Sequence, residues 1–325
     1  MKILLLDVDS KIPNIVMMKL SQYYKDKGSD IEFRKLNQSA SPSKKRDKIV
    51  IDGSEYDKVF ASIIFTSNKD VLEVKNCDYD IGGTGYDICK KLPQDIDNAD
   101  LDYSIYPEND KSYGFITRGC IRNCWFCFVP KKEGMIQKYR DVDQIIKHKN
   151  VVFMDNNILG YKYHKDIFNE ILSKNIKLTF NQGLDIRLLN DDNMSLLSQM
   201  NYVGEYIFAF DDIKYLDVMN EKIKIFKKFI NKDWKAKFYV YCNPKESIGG
   251  IMERISWCRE NKVLPYIMRD FSCYDDANRD FYIDIASYCN QPALFKNMKF
   301  EEFMAKRTNN GDRIKKSIQL FNNKS

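Results

Sequence analysis

Histidine is almost missing from this chain: 325 residues contain two, His148 and His164. No histidine precedes position 148, which removes the usual partner of cysteine in mixed zinc sites from that whole stretch. Long apolar runs are missing too. The opening "MKILLLDVDSK" offers only residues 3–6 as an apolar run before Asp7, too short for a secretory signal. No stretch approaches the roughly 20 apolar residues that cross a bilayer. The expectation is a soluble, cytoplasmic protein without a membrane partner. Cysteine pairing is also sparse. Nine cysteines include a single C-x-x-C, at 124–127. The cytosol keeps thiols reduced, which argues against a disulfide framework and for metal or redox chemistry at any tight cluster.

What is present is ordinary globular material, 44% hydrophobic and 30% charged, enough for two modest domains. The net charge of +6 is mild, and most of it lies in the tail "AKRTNNGDRIKKSIQLFNNKS", with six Lys or Arg against one Asp. Such a tail can track phosphates, but a solvated, frayed C-terminal helix is the preferred reading, so nucleic acid is not inferred.

"KILLLDV" reads as a strand, and "KIPNIVMMKLSQYYKDKG" as a helix that begins near Pro13 and stops at Gly28. "IEFRKL" and "VFASIIF" read as further strands, and "YDIGGTGYDI" as a glycine-rich turn. Strands alternating with helices predict an α/β domain with a parallel sheet over 1–90. The acidic, proline-bearing segment 91–112 is taken as a linker. From 113 the alternation is more regular, with strands expected at 113–118, 151–155, 177–183, 206–212, 237–242 and 264–271. Six βα units in succession fit a partial (β/α)6 barrel over 113–290. Residues 291–325 follow as a helical extension with the basic tail. In such barrels chemistry sits at the C-terminal strand ends, and these runs end in Asp155, Asn181, Gln182, Asp211, Asp212, Arg269 and Asp270.

The stretch "GFITRGCIRNCWFCFVPKKEG" holds Cys120, Cys124 and Cys127 within eight positions, spaced C-x3-C-x2-C. A structural zinc site would lack its fourth ligand here. A buried helical stripe fits the spacing of 0, 4 and 7, although Gly119 and Pro130 favour a loop. An iron–sulfur cluster is the third reading; three thiolates leave one iron of a four-iron cube open to another ligand.

"CIRNCWFC" resembles the signature of the radical S-adenosylmethionine (SAM) superfamily, C-x3-C-x-aromatic-C, with Phe126 as the aromatic. The resemblance extends over about 113–290. It implies a 4Fe-4S cluster on Cys120, Cys124 and Cys127 whose remaining iron is chelated by SAM. An external electron donor such as flavodoxin or ferredoxin would then drive cleavage of SAM to a 5′-deoxyadenosyl radical, which abstracts hydrogen from an unidentified substrate. Phe126 would lie beside the adenine. Asp155, Asn156 and Asn157 of "MDNNILG" match the stretch that holds the SAM amino group, where the family usually has Gly-Gly-Glu. Asn181, Gln182, Asp185 and Arg187 of "FNQGLDIR" would suit the ribose hydroxyls and the SAM carboxylate, or act as a helix cap. Lys131 and Lys132 either favour the reduced cluster or form a solvated loop.

The pattern over 1–90 resembles the cobalamin-binding-like domain that precedes many such barrels. Cobalamin binding of the usual kind needs Asp-x-His-x-x-Gly, and its histidine is absent, so cobalamin is not expected. "GGTG" resembles a phosphate loop, but a tight turn is the simpler reading. Methylthiotransferases carry three extra cysteines in a related domain; here there are Cys77 and Cys89 alone. Cys242, Cys258, Cys273 and Cys289 form no close pair and are expected to be buried apolar residues, without an auxiliary cluster. His148 and His164 are expected on helix surfaces, and Asp211, Tyr241 and Arg269 are candidates for substrate contact. Two other functions compete with the radical enzyme: a non-catalytic iron–sulfur protein, structural or electron-carrying, and a zinc-bearing nucleic-acid-binding module.

Overall fold

The apolar run at the N-terminus forms β1 (Lys2–Asp7), in which Ile3, Leu4, Leu5 and Leu6 are completely buried. An unbroken apolar strand needs cover on both faces. In this computed structural model, which describes residues 1–39, 46–307 and 311–322, both faces are covered. Ile3 and Leu5 pack with Met17 and Leu20 of α1 (Ile15–Asp26) and with Phe60 and Ile96. Leu4 and Leu6 pack on the other side with Val59, Ala61, Val71, Val74 and Ile81. The Asn14 side chain caps α1 by accepting from the N–H groups of Val16 and Met17, and Gly28, at φ +74, turns the chain out of it.

β1 is flanked by β2 (Asp30–Lys35) and by the later strand β4 (Lys58–Ser62), with β6 (Asp78–Gly82) beyond; every pairing is parallel. β3 (Ile49–Asp52) and β5 (Leu72–Lys75) make a separate parallel pair. β3 and β5 are runs of four residues, too short for their period to stand out in the sequence, and β6 takes the first residues of "YDIGGTGYDI", expected as a turn. This first unit comprises Met1–Gly114, Arg122–Met135 and Asp143–His148. It includes 91–112, expected as a linker. There α2 (Gln94–Asp97) is tied by Lys19 to Asp97 at 2.7 Å, and the Asp102 carboxylate accepts from Ser21 Oγ (2.6 Å) and Lys25 Nζ (2.7 Å). β7 (Lys111–Gly114) and α3 (Val129–Glu133) also belong to it.

The second unit comprises Phe115–Ile121, Ile136–Val142 and Lys149–Ser325. β8 (Thr117–Arg118) pairs antiparallel with β9 (Gln137–Lys138). After the short α4 (Val142–Ile145), strands and helices alternate: β10 (Asn150–Phe153), α5 (His164–Leu172), β11 (Lys177–Phe180), α6 (Asp191–Gln199), β12 (Asn201–Tyr202), β13 (Tyr206–Ala209), α7 (Leu216–Phe229), β14 (Ala236–Cys242), α8 (Ile248–Glu260), β15 (Leu264–Arg269) and α9 (Arg279–Cys289). β10, β11 and β12 pair in parallel, as do β13, β14 and β15. A parallel bridge between Leu184 and Phe208 brings the chain after β11 beside β13. The protein is therefore α/β with several parallel sheets.

Expected strand 113–118 is broken. The N–H groups of Ile116 and Thr117 are taken by the Asp155 carboxylate instead of a parallel ladder. The chain closes with α10 (Pro292–Asn297), α11 (Phe300–Ala305) and α12 (Gly311–Asn322). The last is docked, not merely solvated: Phe321 stacks on Phe300 at 4.1 Å, and Arg313 donates to the buried Asp284 at 2.7 Å. Residues 308–310 and 323–325 of the basic tail lie outside the described residues. No helix among the described residues is long and apolar enough to cross a membrane.

Candidate functional site

Three consecutive side chains after β10 grip the chain that follows β7. Asp155, 1% exposed, accepts from Thr117 N–H (2.5 Å), Thr117 Oγ1 (2.7 Å) and Ile116 N–H (3.3 Å). Burial pushes its carboxyl up to about 6, and those donors restrain the rise. Asn156 Oδ1 accepts from Gly119 N–H at 3.1 Å, where Gly119 adopts φ +88, a left-handed conformation that suits glycine. Asn157 Nδ2 donates to Cys120 Sγ at 3.5 Å. The run "DNN" thus fixes the approach to the first cysteine, one residue after another.

Cys120, Cys124 and Cys127 are half-buried thiols outside any disulfide. The second and third are related by a turn in which Cys127 N–H donates to the Cys124 carbonyl at 3.0 Å. Phe126 is half-buried with its ring edge-on to Trp125, 5.7 Å away; Trp125 itself is 68% exposed. Lys131 is exposed, whereas Lys132 donates to Thr84 Oγ1 at 2.6 Å. Thr84 lies in the "GGTG" turn, which closes tightly: Tyr86 and Asp87 N–H groups both donate to the Gly83 carbonyl. A Cβ on Gly83 or Gly85 would collide with the backbone of residues 63–65. Close packing accounts for these glycines without a phosphate.

Among the described residues, no group of three or more His, Cys, Asp or Glu is gathered closely enough to hold a metal ion. The donor chemistry nonetheless fits a thiolate-held cluster. Three thiols outside any disulfide lie on eight residues of chain, and beside the first is a buried amide oxygen, Asn157 Oδ1, with no hydrogen-bond partner.

Further along the second unit, β14 alternates by face. Ala236, Phe238, Val240 and Cys242 are completely buried, while Lys237, Tyr239 and Tyr241 on the opposite face are half-buried. Tyr239 donates to the Asn181 carbonyl (3.4 Å) and Tyr241 to Asp270 Oδ2 (2.5 Å). Of the "FNQGLDIR" residues, Asn181 is half-buried and Gln182 exposed. Asp185 and Arg187 pair with each other at 2.6 Å, and Asp185 also accepts from the Arg187 N–H at 3.3 Å, which makes it a cap. Half-buried Asp211, past β13, has its carboxyl pushed up to about 6 by burial, with the Arg254 guanidinium opposing. Arg254 escaped the sequence reading because nothing distinguishes it within its helix. It is fully buried and donates to the carbonyls of Phe210 (2.7 Å) and Tyr241 (3.1 Å) and to Glu246 (2.5 Å). Arg269 lies over the Tyr274 ring, 4.9 Å from its centre.

Two expectations about histidine and cysteine have definite outcomes. Cys242, Cys258, Cys273 and Cys289 are buried. His148 is not on a helix: it follows α4 in a bend, edge-on to Tyr103 at 4.9 Å, with Nδ1 3.4 Å from Ser112 Oγ. His164 opens α5 with its Nδ1 against the Tyr161 carbonyl at 2.7 Å.

In the first unit the C-terminal ends of β1 and β4, where open parallel sheets bind ligands, are filled by protein. Tyr106 donates to Asp7 (2.8 Å) and accepts from Asn14 N–H (3.1 Å); the Asn14 amide donates to Ser10 and Ser62 Oγ, both at 2.9 Å. Asp9 accepts from Ile64 and Phe65 N–H and from Asn68. Among the described residues this crest offers no histidine to ligate cobalt. The chain matches no family model and no curated protein.

Proposed function

We propose that this chain is a radical SAM enzyme, with a 4Fe-4S cluster on Cys120, Cys124 and Cys127 and SAM completing the coordination. On this reading the first unit is a Rossmann-like, cobalamin-binding-like domain used as a scaffold without cobalamin, and the second is a partial (β/α)6 barrel. The observation that carries the reading is the C-x3-C-x2-C run immediately after β8, with the Asn157 amide that follows β10 lying 3.5 Å from its first sulfur.

When bound, cluster and SAM supply reductive cleavage of the sulfonium and a radical that takes hydrogen from the substrate. The chain's own residues hold and orient. Asp155 and Asn156 pin the residues that lead into Cys120, and Asn157 has a carbonyl oxygen left over for the amino group of SAM. Phe126 offers a face to adenine, and Asn181 and Gln182 offer polar groups to the ribose. The Asp185–Arg187 pair presents a guanidinium to the SAM carboxylate. Tyr241 and Asp211 are suited to the substrate, whose class is unassigned. An external low-potential donor such as flavodoxin or ferredoxin supplies the electron, and a cytoplasmic setting keeps the thiols reduced.

The test is anaerobic reconstitution with iron and sulfide, reduction, addition of SAM and assay for 5′-deoxyadenosine. We expect a brown, cluster-bearing protein that makes 5′-deoxyadenosine, and Cys124→Ala to lose both cluster and product. A cluster that forms yet neither responds to SAM nor cleaves it would move the assignment to an electron carrier. Zinc without a cluster would end it.

A further inference from the structure

We propose that Asn157 sets the reduction potential of the cluster through Cys120, a role that rests on the cluster assignment above. Asn157 is 3% exposed and follows β10 by four residues. Its backbone carbonyl accepts from Gly160 N–H at 3.0 Å, which holds the residue in a turn. Its Nδ2 points at Cys120 Sγ, 3.5 Å away, within the range of an N–H···S hydrogen bond. A Cβ at Gly160 would lie 3.4 Å from that Nδ2 and 3.2 Å from Ile121 Cγ1, so a glycine there keeps the amide in place without crowding. Asp155 and Asn156, anchored on Thr117 and Gly119, prevent the amide and the sulfur from drifting apart.

Packing alone does not explain an asparagine here. Its Oδ1 is buried with no partner, an arrangement that destabilises the fold. A leucine of similar volume would avoid that cost. Leucine could neither offer that oxygen to SAM, as proposed above, nor donate to sulfur, and the donor half already meets Cys120 Sγ at 3.5 Å. An N–H directed at a ligand thiolate withdraws electron density and favours the form carrying the extra electron, which raises the cluster potential. Reduction adds one electron from a low-potential donor, dithionite in the assay, with no bond made or broken by Asn157. The residue is thus a positioning and tuning residue acting through Cys120.

Two measurements on the full chain test this. In metal-free, 15N-labelled protein, the Asn157 side-chain amide, assigned by its loss in Asn157→Leu, should move on Cys120→Ala and stay put in Cys124→Ala. Cys120→Ser, which keeps an acceptor, guards against a folding artefact and should move it less than Cys120→Ala does. In reconstituted protein, an EPR-monitored redox titration should give a more negative midpoint for Asn157→Leu than for wild type. A purely structural role would lower stability and leave the midpoint alone. An amide resonance indifferent to Cys120→Ala overturns the hydrogen bond whether or not a cluster forms. An unchanged midpoint in an assembled cluster overturns the tuning role while leaving the radical assignment standing. Failure of wild-type protein to assemble any cluster removes the assignment and the tuning role together, with the amide–sulfur pair then read as structural from the first measurement.

Discussion

Tyr106 and Asp7 are 99 residues apart in the chain, yet the phenol donates to the carboxylate at 2.8 Å in the buried crest of the first unit. Burial, with the Asp7 carboxylate adding to it, pushes the phenol's pKa well up, so it remains a donor across the working pH range. The same oxygen accepts from the Asn14 N–H that opens α1. One hydroxyl therefore joins segment 91–112, the end of β1 and the start of α1.

Tyr106→Phe should leave Asp7 short of one donor and Asn14 N–H without its acceptor. The expected cost is about 1–3 kcal/mol, the penalty of unpaired buried polar groups. Amide hydrogen exchange of residues 3–6 should quicken by roughly five- to a hundredfold. Unchanged protection there would show that the crest is held by other contacts.

The Asp155 carboxyl titrates near pH 6 in the fold against an ordinary value of 3.8, because burial penalises its charge. A raised folded pKa contributes stability that is complete below about pH 4 and is lost as pH rises through 6. The shift corresponds to a change on the order of 3 kcal/mol. Asp155→Asn should therefore cost most near pH 4, and its cost should shrink towards pH 7. Urea denaturation of both proteins across that window reads the trend; a cost independent of pH would mean that Asp155 titrates normally.

Arg254 should be less replaceable than any surface arginine. Arg254→Leu strands the Phe210 and Tyr241 carbonyls and leaves Glu246 without its partner. Breaking a buried pair from one side costs about 3–5 kcal/mol, and Arg254→Lys should recover only part of this because it lacks the fork. Thermal denaturation of the two variants should rank them in that order.

Asp284 anchors the C-terminal helix through Arg307 (3.0 Å), Arg313 (2.7 Å) and Ser317 Oγ (2.8 Å). Asp284→Asn should cost about 2 kcal/mol, moderated because both arginines are partly solvated. Limited proteolysis should then clip α12 before the rest of the chain is touched. Equal resistance in both proteins would argue that the Phe300–Phe321 stack alone holds the helix.

Substitution of the later cysteines should separate structural thiols from ligands. Cys242→Ser, Cys258→Ser and Cys289→Ser each place a hydroxyl in a fully buried site and should lower stability by about 1–2 kcal/mol. Reconstituted iron content should be unaffected in all three, in contrast to Cys124→Ser. A loss of iron in any of them would point to an auxiliary cluster.

Much of the second unit was legible because its strands are short apolar runs at regular spacing, and β10, β11, β13, β14 and β15 fall within a residue or so of the expected starts. The 113–118 strand was misread for a tertiary reason: Asp155 takes its N–H groups. His148 was misplaced because Tyr103, forty-five positions earlier, supplies its packing, and no local period signals that. Arg254 was invisible, since a single arginine in an amphipathic helix resembles any solvated one until the strand-end carbonyls arrive.

The sequence by itself determined the alternation of parallel strands and helices, the burial of the four later cysteines and the three-thiol spacing at 120, 124 and 127. Each of these is written in side-chain polarity at short separations, where strand and helix periods act directly. Only the tertiary structure decided that Asn157 faces Cys120 across 37 residues, that Tyr106 closes the crest on Asp7, and that Asp284 holds the tail. Those partners meet because topology brings distant strand ends and loops together, and buried polar groups must then find donors and acceptors wherever the fold provides them.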